Sequence, residues 1–267
     1  MIDLHSHILP GIDDGSQSLE ESLAMCRLAV ADGISTMVAT PHYSPFGCIW
    51  NADALISGVR QLQNALHEND LKLTILPGAE LPVFPELGKH VSAVNSCLTI
   101  NNSTYFLVEF RPNSVSAHAE QFLVNLLDNG LTPIIAHPER CNWFTQQTAF
   151  LTRMVNQGVL LQLTAGSIMG RFGVPVRDFS LRLLRQGLIH IIASDTHDIS
   201  DRPPLLSEAV SLAADLIGYE KAAAMVTTTP AAIISNQPLK FSTVEIHQHP
   251  HPIKSRSWFR RFLDAAA

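Results

Sequence analysis

Basic charge, paired cysteines and long apolar runs are all scarce in this chain of 267 residues. Lys and Arg number 18 against 24 Asp and Glu, a formal net charge of −6. The broad basic face that a nucleic-acid binder needs is therefore not available, although a local basic pocket for an anion is. No uninterrupted apolar stretch approaches the roughly 18–20 residues of a membrane-spanning helix. The opening, MIDLHSHILPG, has no basic segment ahead of an apolar one, so no secretory signal is expected. The four cysteines, Cys26, Cys48, Cys97 and Cys141, include no CxxC pair. A cytoplasmic protein with reduced thiols is the natural expectation, each cysteine a small, half-buried residue. None is followed six positions later by arginine, which excludes the phosphate loop of cysteine-nucleophile phosphatases.

What the chain does have is apolar residue, 46% of the total, enough for one large α/β barrel or two modest domains. Short, mostly continuous apolar runs occupy residues 2–5, 36–40, 73–76, 106–109, 133–136, 159–163 and 189–193. Such runs suit strands covered on both faces, as in a parallel sheet. Helical patterns lie between them. Ser18 and Glu21 form a capping box ahead of Leu19, Leu23, Cys26 and Val30, with Gly33 at the end. Leu55, Val59, Leu62 and Leu66 repeat the spacing, and later patterns end at Gly130, Gly158, Gly187 and Gly218. The alternation implies βα units with right-handed crossovers, closed or nearly closed into a barrel, with a doubly wound open sheet as the alternative. Residues 1–240 are expected to form the barrel. Residues 241–267 are expected to form a flexible basic tail, carrying His247, His249 and His251 with Lys254, Arg256, Arg260 and Arg261. Trp258, Phe259 and Phe262 among those basic residues leave a weak membrane-surface or partner contact open there.

The strand ends carry the chemistry. The first run ends in His5-Ser6-His7 and the second in Pro41-His42. The third is followed by Gly78-Ala79-Glu80. The fourth ends at Glu109, the fifth at His137 and the seventh at Asp195-Thr196-His197. The sixth offers only Gln162 and Thr164. In parallel barrels the C-terminal strand ends form the functional face, so a histidine or carboxylate reaches one rim from nearly every strand. His5 and His7, two apart on a strand, point the same way and suit one cation. Mixed imidazole and carboxylate donors suit Mn, Fe or Zn, and the lack of thiolate argues against a closed structural zinc site. Asp13 and Asp14 could each simply make a turn, and Asp14 reads equally as a ligand. His67, His90, His118 and His190 read as ordinary hydrogen-bonded or surface residues. Arg140 and Arg202 stand near the candidate ligands and fit a phosphoryl clamp, salt bridges to Glu139 or Asp201 being the alternative. Arg111 is a weaker third candidate.

The segments HSHILPGIDDG, ATPHYSP, PGAEL, VEF, AHPER and ASDTHDISDRPP, in this order, resemble the polymerase-and-histidinol-phosphatase (PHP) superfamily. Within it they are similar to the manganese-dependent protein-tyrosine phosphatases of capsule and exopolysaccharide operons (the CpsB/YwqE type). The similarity covers roughly residues 1–236. It implies a distorted (β/α)7 barrel of the PHP type with a three-metal site, manganese by family, with iron or zinc as alternatives. By position, His5, His7, Glu80 and Asp195 would hold one metal. Glu80, Glu109 and His137 would hold a second, with Glu80 as bridge, and Asp14, His42 and His197 a third. Arg140 and Arg202 match the family's phosphate-contacting arginines, and His42 or a water is the candidate general acid. The implied substrate is phosphotyrosine on an autophosphorylating bacterial tyrosine kinase that controls polysaccharide export. The segment FRPNSVSAHAEQF after Glu109 departs from the family pattern, and the histidine-rich tail lies outside the shared core.

Two other functions compete. One keeps the metals and changes the substrate to histidinol phosphate or another small phosphomonoester. The other is a non-enzymatic regulator that keeps the barrel, which the full ligand set disfavours. Oligomeric state is not encoded in any of these features.

Overall fold

The computed structural model describes residues 1–44, 50–84, 86–93, 96–110 and 118–245. Strands are β1 (Ile2–Ser6), β2 (Thr36–Ala39), β3 (Thr74–Pro77), β4 (Glu80–Pro82), β5 (Tyr105–Glu109), β6 (Thr132–Ala136), β7 (Leu160–Thr164) and β8 (Ile191–Ala193). Every pairing is parallel, in the orders β1-β2-β3 and β4-β5-β6-β7-β8. Two isolated bridges, Ser6 to Thr196 and His42 to Glu80, link the two sheets. Around them the Asp195 amide donates to the His5 carbonyl and the His7 amide to the Thr196 carbonyl, both at 2.9 Å. The Tyr43 amide donates to the Glu80 carbonyl, also at 2.9 Å. The barrel is thus distorted, its ring completed at two seams by the strand-end residues rather than by regular ladders.

The third strand differs from the expected single run. It breaks after Pro77 and resumes as β4, with no helix between, so the two pieces belong to one βα unit and the seven-unit arrangement stands. The break has a steric cause. A Cβ on Gly78 would lie 2.8 Å from Val38 Cγ1, so the chain presses against β2 and then crosses to pair with β5. That crossing carries Glu80 to the seam.

Apolar residues divide by strand face. Leu107, Ile134, Leu160 and Ile191 belong to a small cluster made almost wholly of strand residues, which is the barrel interior. Phe106, Val108, Ile135 and Ile192 join the larger cluster with Met25, Leu62, Leu123 and Leu183 from the helices. The two-residue alternation produces this split. Burying each such leucine or isoleucine contributes about 1.5–3 kcal/mol.

Local signals behave mostly as the residue chemistry requires. In helix Leu19–Ala31 the Ser18 side chain caps the Glu21 amide. Glu21 reaches back to the Gln17 amide at 2.7 Å, one residue earlier than in a standard capping box. The buried stripe is Ser22, Met25, Cys26 and Ala29, with Leu19, Leu23 and Val30 on its margins. In helix Ala52–Glu68, Leu55, Leu62 and Leu66 are buried as the spacing requires, with Val59 at the edge. Cys26, Cys97 and Cys141 are buried free thiols; Cys48 lies outside the described residues. No described helix is long and apolar enough to cross a membrane. The Phe241 ring packs 4.3 Å from that of His190, and the Val244 backbone donates to Asn156 Oδ1 at 2.8 Å and accepts from Asn156 Nδ2 at 2.9 Å. The remainder of the expected tail, with its histidines, arginines and aromatic residues, lies outside the described residues, as does Arg111.

Candidate metal centre

Four donor atoms face one point at the seam between β1 and β8. His5 Nε2 lies 3.3 Å from His7 Nε2, 3.4 Å from Glu80 Oε2 and 3.4 Å from Asp195 Oδ1. His7 Nε2 lies 3.6 Å from the same Glu80 oxygen and 3.5 Å from the same Asp195 oxygen. The other Glu80 oxygen meets His137 Nε2 at 2.8 Å, and Glu109 gathers with Glu80 and His42 within 4.8 Å. On the outer side, Asp14 Oδ1 stands 3.5 Å from both His42 Nε2 and His197 Nε2, with His7 completing that group. His42 links the outer group to Glu80 through Nδ1, at 2.9 Å. Both of its ring nitrogens therefore face carboxylates, Nδ1 toward Glu80 and Nε2 toward Asp14. All nine residues singled out from the sequence lie in this one cluster.

The neighbours of these rings set which nitrogen carries the proton. Gln162 Oε1 lies 3.0 Å from His5 Nδ1 and 3.4 Å from the backbone amide of His137. A backbone N–H can only donate, so the Gln162 atom is the oxygen and His5 Nδ1 is its second donor. His7 Nδ1 is 2.6 Å from Asp13 Oδ2. With both Nδ1 atoms donating outward, both Nε2 lone pairs turn toward the two carboxylate oxygens. Four electron-pair donors around one point suit a cation. Glu80 Oε2 fits that reading further, since it is buried and has no well-aligned hydrogen bond.

Protonation is the other way to supply positive charge. Burial alone would lower His5 and His7, but Glu80 and Asp195 beside His5, and Asp13, Asp195 and Glu80 beside His7, push both up to about 9. Burial would raise Glu80 and Asp195, yet the adjoining histidines, His5 foremost, hold both carboxyls well below the usual range. His197, with its ring centroid 3.9 Å from that of His7, is driven down to about 4 by burial and then by the His7 charge.

Two of these residues sit in left-handed backbone, His137 at φ 32° and Asp195 at φ 52°. Non-glycine residues pay about 1–3 kcal/mol for such conformations, which are concentrated at functional sites. The arginines do not form the salt bridges that sequence proximity suggested. Arg140 Nη1 and Arg202 Nη2 both donate to Asp195 Oδ2, each at 2.5 Å. One carboxylate therefore joins the imidazole cluster, through Oδ1, to the guanidinium pair, through Oδ2.

Several supporting residues were missed or left open from sequence. Asp13 orients His7 and also accepts from the His42 amide at 3.0 Å. Gln162, noted only as a strand-end residue, orients His5. Asp3, fully buried, accepts from Ser194 Oγ at 2.5 Å and from the Ser194 amide at 3.0 Å, tying β1 to β8 beneath the site. Asp198 Oδ1 accepts from the amides of Ser200, Asp201 and Arg202, which folds the loop that presents Arg202. Only the carboxamide or carboxylate character of these residues could have flagged them, and that is too common to single them out.

A parallel α/β barrel with imidazoles and carboxylates converging at its seams, flanked by two guanidiniums, is a metal-binding barrel of the hydrolytic kind. The chain belongs to the family described as "Capsular polysaccharide synthesis, CpsB/CapC", whose pattern matches residues 1–235. It is 36% identical over 263 residues to the tyrosine-protein phosphatase YwqE of Bacillus subtilis, covering 98% of this chain and 100% of that one. It is 33% identical over 208 residues to the putative tyrosine-protein phosphatase CapC of Staphylococcus aureus, covering 78% of this chain and 81% of that one. Among solved structures, one described as of YwqE from Bacillus subtilis and CpsB from Streptococcus pneumoniae, "unique metal-dependent tyrosine phosphatases", superposes with a TM-score of 0.87 at 33% identity, covering 93% of this chain and 100% of that one. The histidinol phosphate phosphatase of Lactococcus lactis shares the fold, with a TM-score of 0.56 at 13% identity over 83% of this chain and 94% of that one.

Proposed function

We propose that this chain is a metal-dependent protein-tyrosine phosphatase acting on phosphotyrosine. His5, His7, Asp14, His42, Glu80, Glu109, His137, Asp195 and His197 hold a cluster of three metal ions, manganese by family resemblance. The observation that carries the reading is the double role of Asp195, which faces His5 and His7 at 3.4 and 3.5 Å and takes both arginines at 2.5 Å. A cation cluster and an anion clamp thereby share one wall.

Divalent cations supply Lewis-acid charge to a phosphoryl oxygen and make water beside them more acidic. The chain's own groups do the rest. Arg140 and Arg202 offer planar N–H forks to the phosphoryl oxygens, whose charge spreads in the transition state. Asp195 holds both guanidiniums in place before substrate arrives, so little reorganisation is left for the reaction itself. Asp13 and Gln162 fix the ring orientation of His7 and His5. A phenolate leaving group, with a pKa of about 10, needs less protonation than an alkoxide, and His42 or a water is the candidate acid.

The names of the Bacillus and Staphylococcus relatives support a phosphotyrosyl protein over a small phosphomonoester. The histidinol phosphate phosphatase supports the fold alone. In this reading the substrate is an autophosphorylating bacterial tyrosine kinase of capsule or exopolysaccharide synthesis and the location is cytoplasmic. Residues 1–240 are the catalytic unit and residues 241–267 an appended tail. The test compares kcat/KM of the manganese-loaded protein for a phosphotyrosyl peptide and for histidinol phosphate. A preference for the peptide is expected; a preference for histidinol phosphate would overturn the substrate.

A further inference from the structure

We infer that Phe172 is a specificity-determining residue that makes this site select aryl phosphates, because its ring lies against Arg140, beside the place a phosphoryl group would occupy. The inference rests on the phosphotyrosine reading above. Arg140 Cζ lies 4.8 Å from the centroid of the Phe172 ring, a cation–π distance. A guanidinium binds oxyanions through N–H groups in its plane and stacks through its face. Arg140 Cζ sits over the Phe172 ring, so a phosphoryl group held by the Arg140 N–H groups has that ring as a neighbour for the ester's organic part. The ring is only partly buried, so it has surface to offer.

The surrounding loop is built to hold Phe172 there. A Cβ on Gly166 would approach Phe172 Cε2 to 3.2 Å and Arg171 Cδ to 3.3 Å, so the absence of a side chain at Gly166 lets the loop close down. Phe172 and Arg202 line the same cleft, together with Thr164, Met169 and Ser194. The cleft has room for about one water molecule, so a phenyl ring would have to pack outside it, against the exposed part of Phe172. Two loops meet at this rim, where Arg171 Nη1 reaches the Ser200 carbonyl at 3.5 Å. Beside them Val174, the first residue of helix Val174–Arg185, is 68% exposed and Ile199 50%. Apolar side chains left open beside a cleft that joins Arg202 to Met169, Phe172 and Pro203 fit a substrate whose phosphate is carried on an aromatic ring.

Calorimetric titration of the manganese-loaded protein with phenylphosphonate and with inorganic phosphate tests this, alongside kcat/KM for a phosphotyrosyl peptide. An aromatic contact is worth about three- to tenfold in affinity. Phe172→Ala is expected to weaken phenylphosphonate and lower peptide kcat/KM by about that factor, with inorganic phosphate affinity unchanged. Phe172→Leu, which keeps the bulk and loses the aromatic face, is expected to fall between, which guards against misfolding of the alanine variant. Parallel loss for phosphonate and phosphate would overturn the inference, since Phe172 would then merely position Arg140, and so would no loss for either. Failure of the underlying reading looks different: the wild-type protein would bind phosphonate and phosphate yet leave the phosphotyrosyl peptide intact, and the inference would fall with it.

Discussion

Asp13 Oδ2 accepts a hydrogen bond of 2.6 Å from His7 Nδ1, while the equivalent nitrogen of His5 meets the neutral amide of Gln162 at 3.0 Å. The two imidazoles facing one cation position thus have unequal partners, a carboxylate and a carboxamide. A carboxylate behind a ligating histidine raises its basicity, and loss of such a partner typically costs 10–100-fold in metal affinity. Asp13→Ala is expected to weaken manganese binding by about that factor, because it also frees the His42 amide. Gln162→Leu is expected to cost less, at the lower end of the range. Metal titration at constant pH measures both; an unchanged Asp13→Ala isotherm would contradict the assigned role.

Much of this site was legible in the sequence because barrel strands end at one rim, so residues such as His5, Glu109 and His137 could be assigned to a common place by their position in the run alone. The supporting shell was not legible. Gln162 stands 157 residues from His5, and a glutamine at a strand end announces nothing until the barrel closes. The alternative partners offered for the two arginines failed for a related reason. Glu139 adjoins Arg140 and Asp201 adjoins Arg202 in sequence, but Glu139 turns inward to accept from the Thr164 amide at 3.0 Å, and both guanidiniums meet Asp195. The second half of the third strand was hidden because the apolar run covers only residues 73–76, and the three-residue piece at Glu80–Pro82 shows itself only where the chain crosses at Gly78 to pair with β5.

Arg140 and Arg202 converge on one oxygen of Asp195 and are expected to be individually important and poorly replaced by lysine. Removing a donor that stabilises a developing oxyanion commonly costs about 10²–10³ in rate. Arg202→Ala is expected to lower kcat/KM for a phosphotyrosyl peptide by roughly that amount, and Arg202→Lys to recover little, because an ammonium lacks the planar fork. Full recovery in the lysine variant would show that charge alone suffices.

His190 links pH to stability away from the metal centre. It is 5% exposed and its Nδ1 accepts from the Leu161 amide at 3.1 Å. Burial pushes its pKa down from 6.5 to about 4. Below pH 6.5 the unfolded chain takes up a proton that the folded chain refuses, so stability falls as pH drops through that value and levels off near pH 4. Between pH 7 and pH 5 the loss from this one group is about 2 kcal/mol. His190→Asn keeps an acceptor for Leu161 and cannot titrate. Urea unfolding at the two pH values is expected to show a smaller acid loss in the variant by about that amount; equal losses in both proteins would refute the assignment.

Glu80 is the residue on which the cluster turns, with one oxygen toward His5, His7 and His42 and the other on His137. The most direct measurement is the metal content of purified protein, determined by mass spectrometry together with phosphotyrosyl-peptide hydrolysis, for the wild type and for Glu80→Ala. The wild type is expected to carry divalent metal, to lose activity on chelation and to regain it with manganese. Glu80→Ala, still folded by circular dichroism, is expected to lose both metal and activity. A variant that kept its metal, or a wild type whose hydrolysis survived chelation, would contradict a metal-bridging role for Glu80 and with it the catalytic reading of this site.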